Sequence, residues 1–310
     1  MDSLHRYRVP LALLVIALAL GAPFVLYPVF LMKLLCFALF ASAFNLLLGY
    51  VGLLSFGHAA FLGTAGYVTG YLVKDAGLPM VPGLLAGTAA AALLGYVFGN
   101  LAIRRRGIYF AMITLALAQM VYFVCLQVPQ TGGEDGLQAV PRGRLFGVLD
   151  LTDNITMYYV VLAIFLFGSF VIYRTIHSPF GQILKAIREN EQRAVSLGYE
   201  VDRYKLLAFV LSAALSGLAG ATKALVLQLA SLTDVDWHTS GEVVLMTLLG
   251  GMGTVAGPFV GAALVVTMQD YLADIGAFVT VIIGGIFVVC VLVFRRGLVG
   301  ELARALKLKT

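Results

Sequence analysis

The sequence predicts an all-α polytopic membrane protein with about eight to ten transmembrane helices, some of them broken or re-entrant, and both termini cytoplasmic. Three observations carry that reading. The 310 residues are 61% hydrophobic and only 12% charged, with a mean hydropathy of +0.96, far from the averages of soluble domains. Apolar stretches of ~20 residues recur along the chain, the length a helix needs to cross hydrocarbon. The basic residues gather in alternate connections, as they do when one set of connections is retained on the cytoplasmic side.

The apolar segments fall at 10–30, 33–50, 53–73, 80–103, 107–128, 156–174, 206–229, 240–255, 256–272 and 277–294. The first follows Arg6 and Arg8 and contains Ala17-Leu18-Ala19, which has the look of a signal-peptidase site. Its apolar run continues past that triplet, which favours an uncleaved span. Segments 53–73 and 240–255 are rich in glycine and are the ones that read as broken or re-entrant. Ten crossings put Arg6, Arg8, Arg104, Arg105, Arg106, the basic residues between 174 and 205, and those from Arg295 onward on the cytoplasmic side. That is most of the 21 Lys and Arg. Glu134, Asp135, Asp150 and Asp153 lie in one opposite connection, Asp234 and Asp236 in another. The net charge of +5 is then topological, and no nucleic-acid partner is implied. Cys36, Cys125 and Cys290 stand in apolar stretches without metal-ligand spacing and read as small buried hydrophobes. The whole chain, 1–310, reads as one transmembrane domain with a cytoplasmic loop at 175–205 and an external loop at 129–155.

The cytoplasmic loop is the most polar part of the chain. Ser178 followed by Pro179 is a good helix start, and Gly198 a good stop, with one helix or two short ones between. Ile183, Ile187, Ala194 and Leu197 share a loosely apolar side, while Lys185, Arg188, Glu189, Glu191 and Arg193 fall elsewhere around the axis. Asp202 is placed to cap the next membrane helix. Two readings stand: an amphipathic linker lying on the membrane, or a docking helix whose mixed charge suits an oriented protein partner.

The run "SPFGQILKAIRENEQRAVSLGYEVDRYKLLAFVLSAALSGLAGA" resembles the cytoplasmic loop and following helix of branched-chain amino acid ABC transporter permeases, in particular the M-type subunits of high-affinity LIV-I systems. "NLLLGYVGLLSFGHAAFLGTAGY", "TGGEDGLQAVPR" and "LLGGMGTVAGPFVGAALV" agree with that resemblance in the same order. The resemblance implies a bacterial inner-membrane importer subunit working with a sister permease, two P-loop ATPase subunits and a periplasmic substrate-binding protein. It also implies that the loop is a coupling helix seated on an ATPase through Lys185, Arg188, Glu189, Asn190, Glu191, Arg193, Ala194 and Gly198. The importer pattern Glu-Ala-Ala, three residues, Gly fits loosely. Glu191 lies one residue too far from Gly198, and Gln192 and Arg193 replace the two alanines. ATP and Mg belong to the partners, with no cofactor on this chain, since no Gly-x-x-x-x-Gly-Lys-Ser/Thr occurs; the nearest run, "GLAGATK" ending at Lys223, lacks the Gly before Lys.

Within "LLSFGHAAF", Ser55 and His58 are three apart and share a helical face. They admit three readings: a Ser-His nucleophile pair, hydrogen bonds to neighbouring helices, or a polar lining of the translocation path with Asn45, Thr64 and Tyr67. Small residues four apart, as at Gly66 and Gly70, Gly83 and Gly87, Gly95 and Gly99, and Gly253, Gly257 and Gly261, mark close helix packing. Phe61 to Ala65 and Phe259 to Ala263 repeat a short Phe-x-Gly-x-Ala pattern. Lys223 and Glu242 lie near span ends and read as snorkelling or interfacial groups or, alternatively, as substrate- or ion-binding charges. The external loop reads equally as a cap over the helices and as a receiver for a binding protein. Two further function classes stay open: an ion-coupled secondary transporter, disfavoured because no Asp or Glu clearly occupies a span centre, and an intramembrane hydrolase resting on Ser55 and His58 alone.

Overall fold

The computed structural model describes residues 19–145, 149–272, 278–293 and 297–305. Arg6, Arg8 and residues 10–18 of the first predicted segment lie outside the described residues, as do Arg295 and Arg296. Among the described residues five helices are long and apolar enough to span a membrane: α1 (Pro28–Tyr50), α3 (Met80–Ala102), α4 (Ile108–Gln127), α5 (Asn154–Ile176) and α8 (Val201–Leu227). Between and after them come α2 (His58–Lys74), α6 (Pro179–Glu189), α7 (Glu191–Ser196), α9 (Trp237–Gly250), α10 (Gly257–Tyr271), α11 (Phe278–Val293) and α12 (Gly297–Ala305). Four two-residue strands complete the described structure. β1 (Leu137–Gln138) pairs antiparallel with β4 (Leu229–Ala230), and β2 (Arg144–Leu145) with β3 (Leu149–Asp150). The chain is an all-α polytopic membrane protein.

The layering follows from hydropathy and burial. The apolar windows of α1 and α8 are 78% buried, against 28% to 33% for α3, α4 and α5. Helices apolar all round belong inside a membrane bundle, so α1 and α8 form its centre. α1 packs on α5, α8, α9 and α10, and α8 on α1, α2 and α3. Small residues set these contacts: a Cβ on Gly87 would strike Ala65 and Thr69, one on Gly95 the methyl of Ala213, and one on Gly261 the carbonyl of Met246. Gly87, Gly95 and Gly261 thus mark close approaches of two helices, the usual source of attraction where lipid removes the hydrophobic drive, whereas Gly70 faces Leu137 and Val140 of the loop and Gly253 lies in a turn.

Both glycine-rich segments are broken. α1 ends at Tyr50, residues 51–57 are non-helical, and α2 restarts at His58, giving a helix of 17 residues. α9 ends at Gly250, with Gly251 and Gly253 at φ +122° and +73°, and α10 restarts at Gly257. The repeated Phe-x-Gly-x-Ala pieces therefore lie within the first two turns of two restarted helices. The sequence-based boundary between 255 and 256 misses this turn, because an apolar composition conceals a backbone that only glycine adopts.

One end of the bundle holds the C-terminus of α1, α6, α7 and the turn at 251–256. There Gly297, at the start of α12, packs against the backbone of Gly251. The opposite end holds the loop that carries β1. Lys74 at the end of α2 donates to the Gln138 carbonyl there (2.9 Å). Local caps fall where sequence placed them: the Ser178 hydroxyl accepts from the Gly181 amide (3.3 Å), Pro179 opens α6, and Gly198 ends α7 at φ +87°. Asp202 is an exception. It stands in the first turn of α8, which starts at Val201 rather than 206, because buried Lys205 extends the helix into the polar region by pairing with Glu191.

Candidate functional site

The loop between α5 and α8 is two helices. Asn190 between them is extended (φ −156°, ψ 99°), and its side chain caps α7 by accepting from the Arg193 amide (2.9 Å). The break resets the helical phase. Ile187 and Ala194 turn inward and pack with Val201, Ile183 and Tyr204, whereas Leu197 swings out to 69% exposure. The expected apolar side therefore loses Leu197 and gains Val201.

The charged residues of the loop divide by direction. Glu191 pairs with Lys205 of α8 (2.8 Å) and Arg106 of the α3–α4 connection (3.1 Å), joining three parts of the same end. The ammonium of Lys185 lies 5.6 Å from the ring centre of Tyr50. Arg188 donates to the carbonyl of Gly49, and its stem runs over Gly52. Arg188 as a whole is still exposed, as are Glu189, Asn190, Gln192, Arg193, Val195, Leu197 and Gly198, and Ala194 is buried. Lys205, Arg106 and Gly49 were not singled out from sequence. A lone Lys opening an apolar run is the signal that marks Lys205.

The restart of α2 explains most of the polar residues near it. A helix beginning inside a bundle presents amides that water cannot satisfy. Hydroxyls do so instead: Phe56 N–H donates to Thr114 Oγ1 (3.1 Å), Gly57 N–H to Ser55 Oγ (3.1 Å) and Ala59 N–H to Ser240 Oγ (2.9 Å). Ser55 closes the turn that leads into α2. His58 bonds Ser212 of α8 through Nε2 (2.9 Å), and Ser212 spends its own proton on the Ala43 carbonyl (2.6 Å), so Nε2 is the donor. Phe44, Phe61 and Phe209 pack edge-on around the ring. No hydrogen bond joins Ser55 to His58, so the hydrolase reading has no geometric basis among the described residues. Replacing Ser240 with Val should strand the Ala59 amide and cost about 1–3 kcal/mol. Thermal unfolding of the detergent-solubilised chain measures the loss.

Like Nδ1 of His58, the hydroxyls of Thr64 and Tyr67 have no such hydrogen bond among the described residues. The two residues lie three apart on α2, and both hydroxyls are buried. Asn45 is engaged: its amide donates to the Thr254 carbonyl (2.9 Å) and its carbonyl oxygen accepts from Gly253 N–H (2.9 Å), tying α1 to the 251–256 turn.

At the other end, residues 132–138 form a fitted cap. A Cβ at Gly136 would strike the Ala230 carbonyl. Glu134 and Asp135 remain exposed on its outer turn. Lys223 does not snorkel: it is buried, over the Phe37 ring at 5.0 Å, and paired with Asp234, which the 232–234 turn folds back over it. A pocket of about 470 Å³ nearby is lined by Tyr27, Arg142, Thr152, Asn154 and Gln228. Arg142 braces it, donating to Asn154 Oδ1 (2.7 Å) and the Val226 carbonyl (2.8 Å).

A family model described as the permease component of branched-chain amino acid transport systems matches residues 29–294. The chain is 30% identical over 290 residues to the high-affinity branched-chain amino acid transport system permease protein LivM of Salmonella typhimurium, covering 86% of this chain and 68% of that protein. The LivM of Escherichia coli K12 is 29% identical over 288 residues, with the same coverage. The ribose import permease RbsC of Bacillus subtilis is 27% identical over 195 residues, 58% of each chain. No solved structure matches.

Proposed function

Because the chain belongs to the permease family of branched-chain amino acid transport systems, we propose that it is the membrane-spanning subunit of an ATP-driven importer for leucine, isoleucine and valine. It is a multi-pass membrane permease. In the proposed assembly it pairs with a sister permease in a bacterial inner membrane, receives substrate from a periplasmic binding protein, and is driven by two P-loop ATPase subunits that hold ATP and Mg. The end of the bundle with α6 and α7 then faces the cytoplasm.

One observation beyond family membership carries the assignment of the loop. α6 and α7 are anchored inward by Ile187, Ala194 and Glu191 while Arg193, Val195 and Leu197 stand exposed outside the apolar band. A rigid element with an apolar, charged outer face is what a docking partner needs in order to push on the membrane helices. Glu189, Arg193, Val195 and Leu197 are the proposed contacts. Thr64 and Tyr67 are the proposed path residues, since unpartnered hydroxyls offer weak polar contacts to an amino acid that has shed its water. Asn45, Ser55 and His58 serve instead to hold the helices that frame the path.

The test is uptake of radiolabelled leucine by proteoliposomes containing the complex purified through a tag on this chain, with and without ATP inside. ATP-dependent uptake, with ATPase subunits co-purifying from the wild type and lost from Leu197→Asp, is the expected result. Uptake that ignores ATP, with no ATPase in the preparation, would make the protein an ion-coupled carrier.

A further inference from the structure

Three backbone positions, two of them at the end of α1, meet at the side chain of Arg188. The first is the last turn of α1. The amides of Val51, Gly52 and Leu53 all point to the Leu47 carbonyl (3.2, 3.1 and 3.3 Å), so the Gly49 carbonyl has no helical partner. Arg188 supplies one, a cation on the negative end of α1 contributed by a helix 139 residues away. The second is Gly52, whose α-carbon lies so close to the Arg188 stem that a Cβ there would come within 3.1 Å of Cγ. The third is Gly253, where a Cβ would come within 3.2 Å of Nη1 and of the Gly49 carbonyl. Gly253 is in turn held by Asn45 of α1.

The two helix breaks of this fold therefore converge at the loop end of the bundle, and one side chain of the loop touches both. Covalently, α6 and α7 connect only to α5 and α8. Through Arg188 they also hold α1 and the turn between α9 and α10. Those are the places where the backbone lacks continuous helical hydrogen bonding and moves at least cost.

We infer that Arg188 is a positioning residue that transmits displacement of the α6–α7 loop to both helix breaks, and that its charge serves this chain rather than the ATPase. The inference rests on the importer reading. It separates two jobs within one loop: Arg193, Val195 and Leu197 dock the partner, and Arg188 passes the motion on. Gly52 and Gly253 both sit at positive φ (+82° and +73°), which calls for glycine, and the absence of a Cβ also leaves room for the stem and guanidinium of Arg188.

The experiment compares wild type, Arg188→Gln, Arg188→Lys and Leu197→Asp in the tagged complex, measuring co-purified ATPase, ATP hydrolysis and ATP-driven leucine uptake in proteoliposomes. Arg188→Gln should retain the ATPase and its hydrolysis while uptake per assembled complex falls about tenfold, a typical coupling effect. The number of ATP consumed per leucine rises accordingly. Arg188→Lys keeps the cation on the Gly49 carbonyl and should recover part of the uptake, which a general packing defect would not allow. Loss of the ATPase from Arg188→Gln, or an unchanged ratio of ATP to leucine, would overturn the inference. Failure of the importer reading looks different: the wild type itself would carry no ATPase.

Discussion

Replacing Asp234 with Leu should destabilise the folded chain by about 3–5 kcal/mol, the cost of leaving one partner of a buried ion pair uncompensated. The two side chains of the Lys223–Asp234 pair are only 9% and 12% exposed, and Lys223 lies between the Phe37 ring and the turn that carries Asp234. The lysine therefore has no short route to water. Chemical denaturation in detergent and the yield of monodisperse protein both report the loss. The double substitution Lys223→Met and Asp234→Leu should be more stable than Asp234→Leu alone, since removing both charges removes the stranded one. A single variant as stable as wild type would mean that Lys223 reaches solvent after all.

The second large effect is expected at the contact between α2 and α8. A Cβ on Gly220 would collide with the backbone of Leu62, and the facing Gly66 leaves only ordinary van der Waals room to Ala224 and the Gly220 carbonyl. Backbone cannot retreat as a flexible side-chain tip can. Gly220→Leu should therefore cost about 3 kcal/mol, the upper end of overpacking, and separate the helices enough to break the bond between His58 and Ser212 nearby. Gly241→Ala is the control, because a Cβ there meets nothing within 4 Å. Thermal unfolding should distinguish the two variants clearly, and equal melting temperatures would refute this account of the contact.

Much of the fold was legible in the sequence because the signals involved are local. Hydrocarbon thickness sets the length of an apolar run, so most spans were found to within a few residues. Ser178, Pro179 and Gly198 act on their own turns and were read correctly as a helix start and stop. The family resemblance was carried by four ordered blocks and agrees with a match over residues 29–294.

What only the tertiary structure decided is where the polar side chains point. Arg188 reads as one of several charges on a polar helix. Its target, Gly49, is distant in sequence, and the carbonyl is free only because the last turn of α1 tightens onto Leu47. Ser55 and His58 look like chemistry at a spacing of three, yet one closes the turn that leads into a restarted helix and the other binds α8, because amides exposed by a helix break inside a bundle must find hydroxyls there. Lys223 has the stem to snorkel and instead turns inward to a carboxylate brought back by a later turn. The sequence by itself determined which segments are membrane helices, since burial in lipid depends on composition. The fold decided which polar groups are partnered and which, like those of Thr64 and Tyr67, are left without one among the described residues, since a hydrogen bond requires two groups that the chain order keeps apart.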